Sequence, residues 1–473
     1  MTYVRQRTAP IREKRLGSLA AWYGSAGSLV READAGDLVQ RIRTFAQDAS
    51  SDLIYALELV GTLGNVAIVV HGPAGCAAAL HRARGPQPDW IVTGINERDS
   101  ILGGDTKLRA AILAAHQRFA PRAIVVVSSP VVIINNDDID SVTEELQEEL
   151  GVPVVPVYAD GFRSKIAATG LDVVVHALIK HLLPLPETHE AGQAQAHVNL
   201  LSLTENQANI TALRSLLTEL GLSSVLFPRF ARTGEARDVT NARLSVAVNS
   251  AESHYAGTTL HKVYGIPYIH PPAPIGLTGT AQWLSQIGIA TGHSEQAERL
   301  IAEQTARLSS LLDAASHLRG HKVFLNLSAD HAFAFWRLAS ELGLDVIGIK
   351  VPFLDPDHIP ALKAIVAVNE GLPILVGEGQ AFEEINLLRS GKPDLYIGYG
   401  VSSVHAARLG IATLVIDELT YLGFSGFENL LVQIERKLAN TSFQRFLAEG
   451  ETEPYTQGWR QKSAYWYIKH EVK

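Results

Sequence analysis

The stretch VAIVVHGPAGC, residues 66–76, decides how the chain folds and where its chemistry lies. Its first five residues are apolar and rich in valine and isoleucine, which predicts a buried parallel strand, and the glycines and proline that follow predict a tight turn. Cys76 should therefore lie at the carboxyl end of that strand, beside the start of the next helix. Open α/β sheets bind their ligands at this edge.

Cys76 is the only cysteine among the 473 residues. The local pattern leaves two interpretations of its thiol open. Free cysteines are often inert and buried, and they then behave as small apolar residues. A helix N-terminus, in contrast, stabilises a thiolate, which is the form that binds iron or zinc or attacks a substrate.

Composition limits the class of protein. Hydrophobic residues make up 47% of the chain and charged residues 19%, which indicates a soluble globular protein, and the length predicts two to four domains. No apolar window reaches the ~20 residues that a membrane helix needs. The net charge of -8 and the pI near 6.1 give no electrostatic sign of nucleic-acid or membrane binding. A single cysteine and the lack of an apolar signal segment predict a cytoplasmic protein.

Helix-like and strand-like segments alternate along the chain, which predicts βαβ units and parallel sheets. Helices are expected at 53–59, 139–150, 252–264 and 294–318. A polar, Pro-containing break at residues 183–195 is interpreted as a linker between domains. The predicted units are an N-terminal arm (1–45), three α/β domains (46–190, 196–318 and 319–440) and a C-terminal strap (441–473).

Six fragments carry a resemblance that covers nearly the whole chain. They are HGPAGC (71–76), NERDSILGG (96–104), NDDIDSV (136–142), VPVVPVYADGFR (152–163), KVYGIP (262–267) and KPDLYIGYG (392–400). By their order and spacing, the chain resembles the nitrogenase component 1 family. That family includes the molybdenum–iron protein subunits, a cofactor-assembly scaffold, the protochlorophyllide and chlorophyllide reductases, and methylthio-alkane reductase.

The resemblance implies an α/β fold of three Rossmann-like domains with parallel sheets. It also implies a homologous partner subunit in an α2β2-type heterotetramer, and an iron–sulfur cluster at the subunit interface that an ATP-dependent iron protein reduces. Cys76 matches the cysteine that ligates this cluster. The context of the motif therefore favours the ligand interpretation of its thiol over inert packing.

Two ligand positions of the family pattern lack a cysteine here. The family uses three cysteines per subunit for the interface cluster, and the other two positions fall at Ser50 and near Ser128 to Pro130. Serine is a poor substitute, because iron–sulfur clusters are held by soft thiolate ligands. Asp52 is an alternative second ligand, with a helix N-cap as its competing interpretation. One thiolate cannot hold a four-iron cluster, so we expect the partner to supply the remaining ligands.

The resemblance also implies where the large catalytic cofactor of the family lies. Asn249 occupies the position of its cysteine ligand, and residues 416–419 contain no histidine where its second ligand would lie. The large iron–sulfur cofactor is therefore expected only in the partner, with Asn249, His254 and Gly276 as walls of a cleft in this chain.

Three functional hypotheses follow. The first is a subunit of a nitrogenase-like reductase, with methylthio-alkane reduction as the leading system, in which no residue of this chain is catalytic. The second is a cofactor-assembly scaffold of nitrogenase biogenesis, and the third is a metal-free structural paralogue. In the first two, His71 and the charged trio Glu97–Asp99 lie near the interface turn, where they could tune the cluster; ordinary solvation of the loop explains the trio equally well.

Overall fold

The computed structural model describes residues 15, 17–36, 38–39, 51–76, 89–161, 166–185 and 195–449. Within these residues the strands form three sheets, one of six strands and two of four. All but one of the paired strands run parallel, which confirms the predicted α/β class with parallel sheets.

The described strands are β1 (Trp22–Ser25), β2 (Val66–His71), β3 (Asp89–Val92), β4 (Ala123–Ser128), β5 (Val154–Tyr158), β6 (Gln195–Ser202), β7 (Ser223–Pro228), β8 (Ala242–Ala247), β9 (Tyr268–Ile269), β10 (Lys322–Asn326), β11 (Asp345–Val351), β12 (Pro373–Val376), β13 (Leu395–Gly398) and β14 (Ala412–Val415).

The described helices are α1 (Ala26–Ala35), α2 (Asp52–Val60), α3 (Glu97–Leu102), α4 (Asp105–Phe119), α5 (Pro130–Ile134), α6 (Ile139–Leu150), α7 (Thr169–His181), α8 (Gln207–Glu219), α9 (Ala236–Thr240), α10 (Ser250–Tyr264), α11 (Gly276–Thr291), α12 (Ser294–Ala314), α13 (Ala329–Leu342), α14 (Ile359–Val368), α15 (Ala381–Gly391), α16 (Gly400–Arg408), α17 (Gly423–Ala439) and α18 (Thr441–Glu449). None of them is both long enough and apolar enough to cross a membrane.

The first sheet has the order β3-β2-β4-β5 and carries the turn at Cys76. Every residue of β2 is buried, as expected for a central parallel strand that is covered on both faces. Helices α2 and α7 pack on one face and α4 and α6 on the other, and each pair encloses its own apolar cluster. This covering explains the continuous apolar run that made β2 recognisable in the sequence.

The second sheet has the order β7-β6-β8-β9 and packs against the first domain. Leu201, Phe227 and Tyr255 belong to the same apolar cluster as α2 and α7. On its other side, residues of β6 and β8 share one large cluster with the third sheet and with α11, α13 and α17. The second domain is thus held between the other two.

The third sheet has the order β1-β12-β11-β10-β13-β14. Its edge strand β1 pairs antiparallel with β12, with Trp22 opposite Val376 and Ser25 opposite Pro373. This strand comes from the segment that the sequence assigned to an N-terminal arm. Part of the expected arm, Trp22–Ser25, thus completes the third sheet.

Several predicted elements differ from the observed ones in their limits. Helix α6 coincides with the predicted 139–150, whereas the long helix expected at 294–318 ends at Ala314 and continues as a 3-10 turn, Ala315–Leu318. The polar turn expected after β3 contains the short helix α3. Residues 186–194 of the expected linker and 450–473 of the expected strap lie outside the described residues, and the domain limits stay a prediction.

Candidate functional site

Cys76 lies on the turn after β2, at the carboxyl edge of the first sheet. Residues 74–76 form a 3-10 turn, in which the Cys76 amide donates to the carbonyl of Pro73 at 3.0 Å. The thiol is free and half-buried, and it borders the apolar cluster that contains α2 and α7. The helix expected directly after Cys76 falls on residues 77–88, which lie outside the described part of the chain.

The turn runs close against the loop that follows β4. A Cβ on Gly72 would lie 2.2 Å from the Ser129 Oγ and 3.7 Å from the Cys76 Cβ, so a larger residue would force the loop to move. The Ser129 amide donates to the carbonyl of His71 at 2.9 Å, whereas its Oγ is buried with no hydrogen-bond partner in the described structure. A buried hydroxyl without a partner costs about 1–3 kcal/mol, which makes Ser129 an unusual feature of this edge.

His71 joins three of the sequence fragments. Its Nδ1 lies 3.2 Å from the Thr93 Oγ1, and its Nε2 lies 3.1 Å from the Asp137 Oδ2, an ion-pair distance without hydrogen-bond geometry. Gly104 packs on the same pair, since a Cβ there would lie 2.4 Å from the Asp137 Oδ2. Burial lowers the pKa of His71, although Asp137 opposes the shift. The buried imidazole therefore connects the start of the Cys76 turn to Thr93 and Asp137.

The other predicted cluster ligands are placed as follows. Ser128 ends β4, and its buried Oγ donates to a backbone carbonyl of β5 at 2.9 Å. Asp52 is buried in the first turn of α2. The N-cap of α2 is Ser51, whose Oγ accepts a hydrogen bond from the Ile54 amide. The N-cap interpretation of Asp52 was therefore wrong. Ser50 lies outside the described residues.

Of the charged trio Glu97–Asp99, Asp99 orders the loop after β3. Asn96 and Asp99 form a capping box at the start of α3, and the Lys107 Nζ lies 2.6 Å from the Asp99 Oδ2. The hydrogen bond from Lys107, followed by that from the Asn96 amide, lowers the pKa of Asp99. The described contacts of Asp99 thus stay within the loop and the adjoining helix α4, as ordinary loop ordering would require.

A second polar site lies where the carboxyl ends of the second and third sheets meet. Its centre is Glu205, a fully buried carboxylate that follows β6. The Glu205 Oε1 contacts the His331 Nε2 at 2.7 Å and accepts from the Asn249 Nδ2 at 3.0 Å. Its Oε2 accepts from the Tyr421 hydroxyl at 2.7 Å and from the Asn209 Nδ2 at 3.1 Å. Four side chains from different parts of the chain therefore satisfy one carboxylate.

The charges of this network are set by its contacts. Burial would raise the pKa of Glu205, but His331 and the hydrogen bonds from Tyr421 and Asn249 lower it overall. Burial would likewise lower the pKa of His331, but Tyr399 and Glu205 raise it well above its ordinary value. The two groups therefore form a buried ion pair, which is stable only because its remaining hydrogen bonds are made.

A cavity of about 770 Å³ adjoins this network. Its walls come from the amino ends of the first sheet's strands and from loops after β6, β7, β13 and β14. Its polar lining residues include Thr204, Arg229, His331, Tyr399, Asp417 and Tyr421. The chain's only cysteine is not among the lining residues, and both ring nitrogens of His331 are engaged, by Glu205 and by the Tyr399 hydroxyl at 3.1 Å. The donors present do not fit a large iron–sulfur cofactor.

The residues predicted as cleft walls do not line this cavity. Asn249 is buried in the Glu205 network. Gly276 starts α11 at a positive φ of 76°, and a Cβ there would meet the Glu341 carboxylate. His254 is partly exposed, with its Nδ1 3.3 Å from the Asp357 Oδ2. Of the segment 416–419, Ile416, Asp417 and Glu418 do line the cavity.

Sequence reasoning missed Glu205, Arg229, His331, Tyr399 and Tyr421. No short motif connects them, and the Glu205 contacts bridge 126 and 216 positions of sequence. The available signal was that most of them follow the carboxyl end of a predicted strand, which is where parallel sheets assemble their sites. Among the described residues, no three His, Cys, Asp or Glu side chains converge to hold a metal ion.

Comparisons with known proteins agree with this architecture. The cofactor biosynthesis protein NifE of Nostoc sp. (strain PCC 7120) is 26% identical over 386 residues, which cover 79% of each chain. The nitrogenase molybdenum–iron protein alpha chain of Methanothermobacter marburgensis is 25% identical over 397 residues, which cover 79% of this chain and 83% of that one.

A solved structure, nitrogenase Cp1 at pH 6.5, has the same fold, with a TM-score of 0.74 and 18% identity over 88% of this chain and 96% of that chain. The model of the nitrogenase component 1 type oxidoreductase family matches residues 52–439. The match covers most of the chain and confirms the family that the six fragments indicated. The chain belongs to the nitrogenase component 1 type oxidoreductases.

Proposed function

We propose that this chain is a subunit of a nitrogenase-like reductase complex and shares an interface iron–sulfur cluster with a homologous partner. The observation that carries the proposal is Cys76, the only cysteine, half-buried on a turn at the carboxyl edge of the first sheet. A ligand at this edge can be combined with ligands from a second chain. A reducing cytoplasm suits a protein with one free thiol.

The residues of this chain would supply part of the ligand set of such a cluster. The Cys76 thiolate would be a ligand, with Ser50, Asp52 and Ser128 as further candidates, and the partner would supply the remaining thiolates. A bound cluster accepts and passes on single electrons. The chain's own contribution is to hold the turn in place. His71 at its start contacts Thr93 and Asp137, and Gly72 allows the turn to approach Ser129 closely.

The large catalytic cofactor is proposed to lie in the partner. The donors around the 770 Å³ cavity support this proposal, because no thiolate lines the cavity and the imidazole of His331 is already bonded on both nitrogens. In this scheme the chain relays electrons from an ATP-dependent iron protein to the partner's active site in an α2β2-type heterotetramer. A methylthio-alkane is the proposed substrate class.

Iron analysis tests the role of Cys76. Wild-type and Cys76→Ala complexes would be purified anaerobically, and iron would be counted per heterodimer. The variant should lose the iron of the interface cluster while still co-purifying with its partner. Unchanged iron would contradict the proposal. Parallel Ser128→Ala and Asp52→Asn variants test the other candidates, since an unchanged iron count excludes the substituted residue as a ligand.

A cofactor-assembly scaffold is a second candidate function. It is favoured by the similarity to NifE of Nostoc, a nitrogenase iron-molybdenum cofactor biosynthesis protein, which is as strong as the similarity to an alpha chain. The two functions predict different products. A reductase turns over a substrate with an iron protein and MgATP, whereas a scaffold transfers its cluster to an acceptor protein. An encoding gene beside sulfur-compound genes supports the first, and a full nitrogen-fixation cluster supports the second.

A further inference from the structure

We propose that the Ser129 hydroxyl donates a hydrogen bond to the sulfur atoms of the cluster that Cys76 would hold, and so raises the reduction potential of that cluster. This inference rests on the interface cluster proposed above. It adds a residue that tunes the cluster without being one of its ligands. It is supported by the burial of the hydroxyl, by its unused hydrogen-bonding capacity and by its position against the Cys76 turn.

The fold itself makes no use of the Ser129 hydroxyl. Ser129 is fully buried, and its Oγ has no hydrogen-bond partner in the part of the chain that the structure describes. Ser129 is also the N-cap residue of α5, where a serine hydroxyl normally accepts a hydrogen bond from an amide of the first helical turn, but no such bond is made here. The Ser129 amide, in contrast, donates to the carbonyl of His71 at 2.9 Å. The main chain is thus anchored while the hydroxyl stays available.

The preceding residue, Ser128, shows the ordinary situation of a buried serine at this edge. Its Oγ donates to the carbonyl of Val157 at 2.9 Å, so its hydrogen-bonding capacity is used within the first sheet. Buried polar groups in folded proteins normally have such a partner, and one that lacks it within the chain requires an explanation. An acceptor on a group bound at this edge supplies that explanation for Ser129.

The Ser129 hydroxyl lies against the turn that carries Cys76. A Cβ built on Gly72 would be 2.2 Å from the Ser129 Oγ and 3.7 Å from the Cys76 Cβ, so those two atoms are separated by at most the sum of these distances. Gly72 has no side chain to fill the space between them. Its amide donates to the Thr93 Oγ1 at 2.9 Å, which holds the turn in this position. A group bound by Cys76 is therefore a neighbour of the Ser129 hydroxyl.

A neutral hydroxyl at this place favours the reduced state of a cluster. Hydrogen bonds to the sulfur atoms are among the factors that set the potential of an iron–sulfur cluster. Reduction adds negative charge to those sulfur atoms, and a hydrogen bond to a charged acceptor is the stronger one. The hydroxyl keeps its proton throughout, and no bond is formed or broken. As a hard oxygen donor it is poorly suited to iron that thiolates hold, which favours hydrogen bonding over ligation.

The test is a redox titration of the purified complex, followed by EPR spectroscopy. Ser129→Ala should co-purify with its partner and keep its iron, because the substitution removes only an atom that has no partner within the described chain. Its one-electron reduction equilibrium should shift about tenfold toward the oxidised state, which is about 59 mV more negative. Ser202→Ala is the matched control, because the Ser202 Oγ is likewise buried without a partner, but at the end of β6 in the second sheet. Its potential should equal that of the wild type.

Three results would overturn the inference. An unchanged potential in Ser129→Ala would mean that the hydroxyl meets only water, and equal shifts in the two variants would mean that the effect is not local. Loss of iron from Ser129→Ala would make Ser129 a ligand or a structural residue instead. Failure of the proposed function gives a different result, since Cys76→Ala would then keep all its iron, and that outcome would overturn both proposals.

Discussion

At the scale of single residues, the Cys76 turn depends on close approaches between small residues and buried polar groups. Gly72 lies against Ser129, and Gly104 lies against the His71–Asp137 pair. The backbone of Gly104 is at φ −93° and ψ −1°, which any residue can adopt, so contact alone requires glycine there. The space around these residues therefore determines how precisely the thiol is held.

Adding one methyl group at Gly104 should destabilise the protein. In Gly104→Ala the new Cβ would lie 2.4 Å from the Asp137 Oδ2 and 2.9 Å from the His71 Cε1, so one of them must move. We expect the free energy of unfolding to fall by about 1–3 kcal/mol, as in other overpacked sites, measured by urea unfolding. Gly75→Ala is the control, because a Cβ added at Gly75 would have nothing within 4 Å and the stability should be unchanged. Equal stability of the two variants would refute this packing.

His176 should make stability depend on pH. Burial, assisted by Lys180, lowers the pKa of His176 from 6.5 to about 4. The unfolded chain therefore takes up a proton first as the pH falls below about 6.5, so the free energy of unfolding should fall between pH 6.5 and 4 and level off below. Above pH 6.5, His176 should not change the free energy of unfolding.

The size of this effect is about 2 kcal/mol between pH 7 and 4.5, from 1.36 kcal/mol per unit of pKa shift and allowing for partial solvent exposure. His176→Gln can keep the 2.9 Å contact with the Tyr255 hydroxyl and should lose this part of the pH dependence in urea unfolding. His317→Gln, at an exposed position, is the control. A His176→Gln protein with the wild-type pH profile would contradict the assignment.

The residues of the two sites differed in how well the sequence predicted them. Cys76 could be placed because its strand, turn and thiol are adjacent in the chain, so local pattern alone was informative. The Glu205 network could not be predicted, since it is assembled from His331, Asn249 and Tyr421 by packing of separate domains. No local spacing encodes such contacts.

At the scale of elements, helices and strands with a clear apolar period were predicted well, and those whose burial depends on distant partners were not. Helix α6 carries a strong amphipathic pattern, and its limits agree with the sequence. Strand β1 was missed because four residues, Trp22–Ser25, carry no alternation and are ordered by pairing with β12. This part of the N-terminal segment is therefore ordered by tertiary contacts with the third sheet.

Arg15 fastens this N-terminal segment to two other parts of the chain. Its Nε lies 2.8 Å from the Asp172 Oδ2 on α7, and its Nη1 lies 2.8 Å from the Asp355 Oδ2 in the loop after β11. All three side chains are at most 3% exposed, and Ser18 also contacts Asp355. The first and third domains are thus joined through one buried guanidinium.

Removing that guanidinium should be costly. Arg15→Met would remove a buried cation that contacts two buried carboxylates, so the free energy of unfolding should fall by about 3–5 kcal/mol, measured by urea unfolding. Arg31→Met is the control, since the Arg31–Glu370 pair is largely exposed and is expected to contribute about 0–1 kcal/mol. If the two substitutions cost the same, Arg15 does not join the domains in the way described.

At the scale of the whole molecule, the two sites lie at opposite ends of the first sheet. The Cys76 turn is at the carboxyl ends of its strands, whereas the cavity adjoins their amino ends and the carboxyl ends of strands in the other two sheets. A cluster bound at the first site would therefore lie at an edge that a second chain can cover. The second site is a cavity of about 770 Å³ lined by residues of all three domains.

The outer surface near Cys76 carries exposed apolar side chains. Ile101 is 82% exposed and Leu102 is 71% exposed at the end of α3, and Ile134 at the end of α5 is 68% exposed. Both helices follow strands of the first sheet at its carboxyl edge. This surface lies beside the edge that we propose the partner subunit covers, and we expect the iron protein to dock there.

Electron delivery should therefore require an iron protein and MgATP. The purified complex should reduce its substrate with both present and show no reduction with ferredoxin alone. Leu102→Asp should slow the iron-protein-dependent rate about tenfold or more, since a charge placed on an apolar docking surface is costly, while leaving the iron content unchanged. Val368→Asp is the matched control, because Val368 is 74% exposed on α14 of the third domain. Equal rates with ferredoxin alone, or equal rates of the two variants, would exclude docking of an ATP-driven iron protein at this surface.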